Sequence, residues 1–125
     1  MTARSRSKTV LIVEDDPDIR EVLEEMIDAG GHQVVTATNG AEGLAALAQM
    51  DPPTLVLLDL MMPVMSGFAF LEELARRPDR QGDQVLLISA NETVERAAQL
   101  PGVVGFVKKP FDLDEVLALV ERFLR

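Results

Sequence analysis

Short apolar runs alternate with segments of helical periodicity along the whole chain. The apolar runs predict five strands, at 9–13, 32–38, 54–59, 84–89 and 103–107. Three of these runs are apolar along their whole length, which is typical of strands buried on both faces. Strands that alternate with helices in this way predict a parallel sheet covered by helices on both sides.

Helix signals fill the intervals between the strands. Asp16-Pro17 predicts the start of the first helix, because an acid caps the free amides and proline suits the first helical position. The other helices are predicted after the Asn39-Gly40 turn and at about 68–77, 92–100 and 112–125. The apolar periodicity assigns the following residues to the core: Ile19, Val22, Leu23, Met26 and Ile27; Ala41, Leu44, Ala45 and Ala48; Phe70, Leu71 and Leu74; Leu113, Val116, Leu117, Val120 and Leu124.

This pattern predicts an α/β fold, a flavodoxin-like (βα)5 three-layer sandwich. We expect the strand order 2-1-3-4-5, because the first and third strands both end in acids and this order makes them neighbours at the switch point. Residues 1–8 are predicted to be a disordered tail and residues 9–125 a single domain.

Composition and charge narrow the class of protein. No apolar stretch approaches the roughly 20 residues of a membrane span, and no secretory signal is visible, so we expect a soluble cytoplasmic protein. The chain has no cysteine, which excludes disulfides and thiolate metal sites. Its formal net charge of −9 argues against direct binding of nucleic acid.

Acidic residues follow the first and third predicted strands. In the expected strand order Glu14, Asp15 and Asp59 crowd together at the carboxyl edge of the sheet. Carboxylates at such range repel, so one of them is protonated or the group holds a cation. An all-oxygen acidic group without histidine or cysteine favours Mg²⁺ over transition metals.

Two further polar residues are predicted at the same edge, Ser89 after the fourth strand and Lys109 after the fifth. A lysine and a hydroxyl suit a phosphoryl group, whose peripheral oxygens carry charge. With Mg²⁺ on one side and Lys109 on the other, a carboxylate oxygen of Asp59 could attack phosphorus and form an acyl phosphate.

These residues carry a resemblance to a known family. The acidic group Glu14-Asp15-Asp16, Asp59 within LLDLMMPVMSG, Ser89-Ala90, and Phe106 ahead of Lys109 in GFVKKPF resemble the receiver domain of two-component response regulators. The resemblance extends over nearly all of the chain, from Thr9 to Arg125.

The resemblance implies a role for each matching residue. Asp59 would be the phosphoacceptor, Asp15 a direct Mg²⁺ ligand, Glu14 a ligand through water, and the backbone carbonyl of Met61 a further ligand. Ser89 would hydrogen-bond the phosphoryl group, Lys109 would pair with it, and Phe106 would be an aromatic switch. The Lys109-Pro110 bond is cis in the family, and Met61 and Asn91 occupy positions that tune dephosphorylation.

The resemblance also implies partners and an activity. A sensor histidine kinase or a histidine phosphotransfer protein would supply the phosphoryl group, and the chain would catalyse its own phosphorylation and dephosphorylation. The surface of the fourth helix, fifth strand and fifth helix would signal to an effector or an attached output domain, with a dimer possible on phosphorylation. The chain departs from the commonest pattern in Ser89 for threonine, in Phe106 for tyrosine, and in a short Ser89–Lys109 interval that predicts an abbreviated fourth helix.

Other interpretations stay open from the sequence. The chain could be a pseudo-receiver that binds a protein without being phosphorylated. A phosphatase of the haloacid dehalogenase type expects a second acid two residues after the nucleophile, where this chain has Met61, and a flavin protein expects a hydroxyl-rich first loop. Asp16 is interpreted as a helix cap, His32 as a surface residue, and Phe106 alternatively as static core.

Overall fold

Five parallel strands, five α-helices and a short 3₁₀ helix (Pro78–Arg80) make up the computed structural model, which describes residues 9–90 and 92–124. The strands are β1 (Thr9–Val13), β2 (Val34–Ala37), β3 (Thr54–Leu58), β4 (Gln84–Ser89) and β5 (Val103–Lys108). The helices are α1 (Pro17–Ala29), α2 (Gly40–Leu47), α3 (Gly67–Ala75), α4 (Val94–Ala97) and α5 (Leu113–Leu124). The tail predicted at residues 1–8 lies outside the described residues, as do Asn91 and Arg125.

The strand order is β2-β1-β3-β4-β5, with all neighbours parallel, so the predicted order 2-1-3-4-5 is confirmed. β1, β3 and β4 occupy the centre, and β3 is buried at every position. Apolar side chains of the central strands alternate between two core clusters, one on each face of the sheet. None of the described helices is both long enough and apolar enough to cross a membrane.

The helices on the α1 and α5 side begin and pack mostly as predicted. Asp16 caps α1, accepting hydrogen bonds from the amides of Asp18 and Ile19, as expected. Two residues assigned to the core are exposed, however: Val22 keeps 43% and Leu113 40% of its surface accessible. Val22 lies at the margin of the apolar stripe of α1, and Leu113 is the first residue of α5, where the helix has only begun to cover the sheet. Both side chains line one groove between α1 and the start of α5.

α2 turns a different face to the core from the one predicted. Gly43, Leu44 and Leu47 are buried, whereas Ala41, Ala45 and Ala48 are exposed, so only Leu44 was assigned correctly. The reason is close packing at Gly43, where a Cβ would lie 2.9 Å from Val13 Cγ2. Bulkier faces of the helix could not approach the sheet as closely, and a hydrophobicity pattern gives glycine no weight.

α4 is a single turn and does not extend over the predicted 92–100. Only Val94 and Ala97 face the core within the helix, which is too little apolar surface to hold a longer one. After Ala97 the hydrogen bonds change to the 3₁₀ pattern, since the amides of Gln99 and Leu100 donate to carbonyls three residues back. The abbreviated fourth helix that the short Ser89–Lys109 interval predicts is therefore present.

A buried ionic network lies at the amino ends of β3 and β4. Arg80 Nε donates to Asp83 Oδ2 at 2.7 Å, and Arg80 Nη1 donates to the Met50 carbonyl at 2.6 Å. Thr54 joins both partners, because its amide donates to Asp83 Oδ1 and its hydroxyl accepts from Arg80 Nη2. The network ties the α2–β3 and α3–β4 loops together at the edge of the sheet opposite the predicted site, and no sequence pattern predicts it.

Candidate functional site

The parallel register of β1 and β3 brings the predicted acids together. Val13 pairs with Leu58, and the next residues along the chain are Glu14 and Asp59. The Asp59 amide donates to the Val13 carbonyl at 3.0 Å, which extends the pairing by one step. One carboxylate oxygen from each of Glu14, Asp15 and Asp59 lies within 4.8 Å of the other two. Glu14 and Asp59 are buried and Asp15 is exposed, so the group opens to solvent on one side.

Lys109 provides the positive charge of the site. Its ammonium lies 2.7 Å from Glu14 Oε1 and 3.3 Å from Asp59 Oδ2. The backbone that carries it is held to β4, because the Lys109 amide donates to the Ser89 carbonyl at 3.0 Å. The Lys109-Pro110 peptide bond is cis, as the resemblance implies. One lysine therefore bridges two of the three acids.

The protonation of Glu14 reflects a balance of opposing effects. Burial raises its pKa to about 7, and the nearby Asp59 charge acts in the same direction, although Lys109 and the Asp16 amide both stabilise the carboxylate. Burial by itself would lower the pKa of Lys109, but the Glu14 hydrogen bond and the Asp59 charge together raise it above the ordinary value. Lys109 therefore keeps its positive charge at neutral pH, whereas Glu14 has a pKa close to neutral pH.

The carboxylate of Asp59 is oriented by two donors. Its Oδ1 accepts from the Met61 amide at 3.2 Å and its Oδ2 from Lys109 at 3.3 Å. The Asp59 side chain is therefore held between the loop after β3 and Lys109 at the end of β5. One of its carboxylate oxygens lies within 4.8 Å of a carboxylate oxygen of Glu14 and of Asp15.

The remaining predicted site residues lie around this centre with different exposures. Ser89 is fully buried at the end of β4. Phe106 keeps 37% of its surface accessible on β5, so the alternative of a static core position is wrong. Met61 is 59% exposed in the loop after β3. His32, interpreted as a surface residue, is only partly exposed and pairs with Glu121 at 2.9 Å.

Three residues around the site were missed by the sequence analysis. Arg20, one turn into α1, donates to the Glu14 carbonyl at 2.9 Å. Gly67 packs against the loop after β3, where its amide donates to the Leu60 carbonyl and a Cβ would overlap the Asp59 carbonyl oxygen. Gly40 contacts the same loop from α2. The two glycines were visible in the sequence, but the contacts that require them are long-range.

The donor set fits a hard divalent cation. All three side chains offer oxygen, two of them are largely shielded from water, and their combined charge exceeds what one lysine offsets. Such a group matches the ligand preference of Mg²⁺. Glu14, Asp15 and Asp59, with a backbone carbonyl from the loop after β3, are the residues that could hold it.

Comparison with known proteins agrees with this geometry. Residues 10–121 match the response regulator receiver domain family. The DNA-binding transcriptional regulator NtrC of Escherichia coli is 40% identical over 115 residues, which cover 90% of this chain and 24% of that protein. The uncharacterized transcriptional regulatory protein YkoG of Bacillus subtilis is 38% identical over 93% of this chain and 50% of its own length. The chain therefore spans between a quarter and a half of these relatives.

Solved structures give the same result for the fold. The chemotaxis response regulator CheY4 of Vibrio cholerae superposes with a TM-score of 0.82 at 27% identity, covering 94% of this chain and 98% of that one. The response regulator TrrA of Thermotoga maritima, solved in complex with Mg²⁺-BeF, superposes with a TM-score of 0.76 at 30% identity, over 94% of this chain and 99% of its own. Sequence and structure together show that this chain belongs to the response regulator receiver domain family.

Proposed function

We propose that the chain is a phosphorylation-operated signalling switch and that Asp59 is its phosphoacceptor. The observation that carries the proposal is the position of the Asp59 carboxylate, which lies between Lys109 and the acids Glu14 and Asp15. A buried carboxylate with a fixed cation on one side and a divalent-ion site on the other is equipped to attack phosphorus.

The donor in this proposal is a phosphohistidine on a sensor histidine kinase or a histidine phosphotransfer protein. An Asp59 oxygen forms the new bond to phosphorus, the bond between phosphorus and the imidazole nitrogen breaks, and that nitrogen keeps the electron pair and takes up a proton. Glu14, Asp15, Asp59 and the Met61 carbonyl would hold Mg²⁺, which when bound would neutralise charge on the phosphoryl oxygens. Lys109 stabilises the same oxygens from the opposite side. The proposal includes a cytoplasmic location, where ATP is available to the kinase.

The response to phosphorylation begins at Ser89. Its hydroxyl moves to the phosphoryl group, and Phe106, which is partly exposed on β5, turns into the vacated space. The ion pair of Lys108 with Glu95, which joins β5 to α4 at 2.6 Å, lies on the surface that then changes. We assign to this surface of α4, β5 and α5 the contact with a downstream effector or output domain, or with a second copy of the chain.

The phosphoryl donor protein docks in the groove between α1 and α5. The groove measures about 510 Å³, and its walls include Val22, Phe111 and Leu113. Lys109 lines both this groove and the acidic site, so the groove adjoins Asp59. A protein bound in the groove can therefore bring its phosphohistidine to Asp59. Two apolar residues that the sequence assigns to the core are exposed here, as expected of a surface that a partner covers.

Labelling with a small phosphodonor tests the phosphoacceptor. In Mg²⁺ the wild type should gain one phosphoryl group, and Asp59→Asn should gain none. Asp16→Asn is the matched control, because asparagine caps a helix about as well as aspartate and the residue lies beside the same site. An unlabelled wild type, or a labelled Asp59→Asn, would contradict the proposal. Partner binding that Asp59→Ala leaves unchanged would then favour the pseudo-receiver.

Charge introduced into the groove tests the docking surface. Val22→Glu and Leu113→Glu should each lower phosphoryl transfer from a donor protein by about tenfold or more, because docking would bury an unpaired charge. Labelling by the small phosphodonor should be unchanged in both variants. Leu100→Glu is the control, since Leu100 is similarly exposed, at 41%, on a different surface. Equal transfer rates in all three variants would exclude this groove as the docking site.

A further inference from the structure

The loop between β3 and α3, residues 59–66, is attached to the N-terminus of α2. The Gly40 amide donates to the Met65 carbonyl at 3.1 Å, and the Gly67 amide donates to the Leu60 carbonyl at 3.0 Å. From these contacts we infer that Gly40 is a positioning residue for Asp59, acting through the Met65 end of this loop. The inference rests on the proposed function, because it concerns the geometry of the same phosphoacceptor.

The path from Gly40 to Asp59 is short. Met65 follows a tight turn in which its amide donates to the Pro63 carbonyl at 2.8 Å, with Val64 at φ +70° between them. A hydrogen bond between residues two apart around a positive φ defines a γ-turn, which is strained for a β-branched residue. Such a turn persists only where its surroundings hold it, and the Gly40–Met65 hydrogen bond is one of those restraints. At the other end of the loop, the Met61 amide holds Asp59 Oδ1.

Gly40 has no room for a side chain. A Cβ at this position would lie 2.7 Å from Met65 Cγ and 2.8 Å from the Met65 carbonyl oxygen. The Met65 side chain can rotate away, but its carbonyl oxygen belongs to the backbone. A methyl group at residue 40 therefore displaces the loop itself, and with it the amide and carbonyl of Met61.

Three side-chain hydrogen bonds hold the α2 side of the contact, so we expect the displacement to fall on the loop. Asn39 caps α2 by accepting from the Glu42 amide at 2.9 Å. Glu42 in turn accepts from the amide and the hydroxyl of Thr38, at 2.9 and 3.0 Å. Together these hydrogen bonds hold the turn that presents the Gly40 amide.

Gly40→Ala tests the inference. Its phosphorylation rate at saturating small phosphodonor should fall about ten- to a hundredfold, which is the effect of a misplacement near 1 Å at a reacting group. The half-saturating donor concentration should change little. In the metal-free protein, the amide NMR signal of Met61 should shift, because its hydrogen bond to Asp59 is disturbed. The dissociation constant for Mg²⁺ should rise in parallel.

Two variants separate positioning from general destabilisation. Gly82→Ala is the control for a glycine replacement, since its Cβ would meet only Pro53 Cβ, at 3.8 Å. Val120→Ala removes core volume from α5, away from the site, and should lower the melting temperature without moving the Met61 signal. If Gly40→Ala and Val120→Ala show the same rate per folded molecule, the inference is overturned.

The readouts also separate this inference from the proposed function. The Met61 signal and the Mg²⁺ dissociation constant need no phosphorylation, so they report on Gly40 even if the wild type takes no label. An unchanged Met61 signal in a folded Gly40→Ala protein overturns the inference whatever the wild type does. If Gly40→Ala does not fold, the exposed Glu42→Ala decides. It loosens the turn that presents the Gly40 amide and should shift the Met61 signal, and no shift overturns the inference.

Discussion

Glu14 is the residue whose charge depends most on its surroundings. It is buried at the end of β1, paired with Lys109 and close to two other acids. Burial raises its pKa to about 7, so near neutral pH the residue exchanges between a carboxylate that can bind a cation and a neutral acid that cannot. A cation bound at the proposed site would therefore compete with a proton at this residue.

The first prediction concerns Mg²⁺ affinity as a function of pH. Affinity should weaken as the pH falls from about 8 to 6, because Glu14 takes up a proton in that range. Glu14→Gln should bind Mg²⁺ more weakly throughout and lose most of this dependence. A calorimetric titration at several pH values measures both, and an equally steep dependence in Glu14→Gln would contradict the assignment.

The same raised pKa predicts the pH dependence of folding without metal. The folded pKa of Glu14, about 7, lies above its ordinary value of 4.5, so the folded state binds the proton more tightly than the unfolded state. The contribution of this residue to stability is complete below pH 4.5 and is lost as the pH rises through 7. Glu14→Gln should remove this loss, so its advantage over the wild type in urea unfolding should grow from pH 5 to pH 8. A constant difference would contradict the prediction.

Among the elements, the β3–α3 loop departs most from ordinary backbone geometry. Val64 holds φ +70° and leaves 84% of its surface exposed, so its side chain gains little from packing in return for the strain. Val64→Gly should raise the free energy of unfolding by about 1 kcal/mol, because strain relief of roughly 1–3 kcal/mol exceeds the entropic cost of glycine. Urea denaturation measures this. A destabilised Val64→Gly would show that the valine side chain holds the loop in place.

The strands and helices also show which features of the fold the sequence pattern can predict. Strand positions were predictable, because buried parallel strands carry continuous apolar runs, and the strand order followed from the acids at the ends of β1 and β3. The buried face of α2 was not predictable, because Gly43 lets the helix approach β1 closely by having no side chain, and a hydrophobicity pattern does not register this. Glu14, Asp15, Asp59, Ser89 and Lys109 could be assigned to one edge of the sheet from strand ends alone. The contact of Gly40 with Met65 could not, because it joins two loops through backbone atoms that no residue pattern encodes.

Across the whole molecule, the two edges of the sheet have different roles. The carboxyl edge carries clustered like charges, which oppose folding, whereas the amino edge carries the fully paired network of Arg80, Asp83 and Thr54. Asp83→Ala should lower the free energy of unfolding by about 3–5 kcal/mol, because it leaves a buried guanidinium unpaired.

The same variant should leave the phosphorylation rate per folded molecule unchanged, since the network is remote from Asp59. Asp79→Ala, an exposed acid in the same segment, should change stability by less than about 0.5 kcal/mol. Denaturant curves and labelling rates on the same samples give both quantities. A labelling rate that falls with Asp83→Ala in fully folded protein would show that the two edges are coupled.

The pairing of Val13 with Leu58 has a consequence for how the pocket comes into being. Side chains alternate between the faces of a sheet, so a shift of one residue between these two strands would turn each side chain of the shifted strand into the opposite core, where the packing is built for a different residue. The same shift would send Glu14 and Asp59 to opposite sides of the sheet. The register that packs both cores therefore also brings these two acids to the same side of the sheet. Core packing alone is enough to place them next to each other.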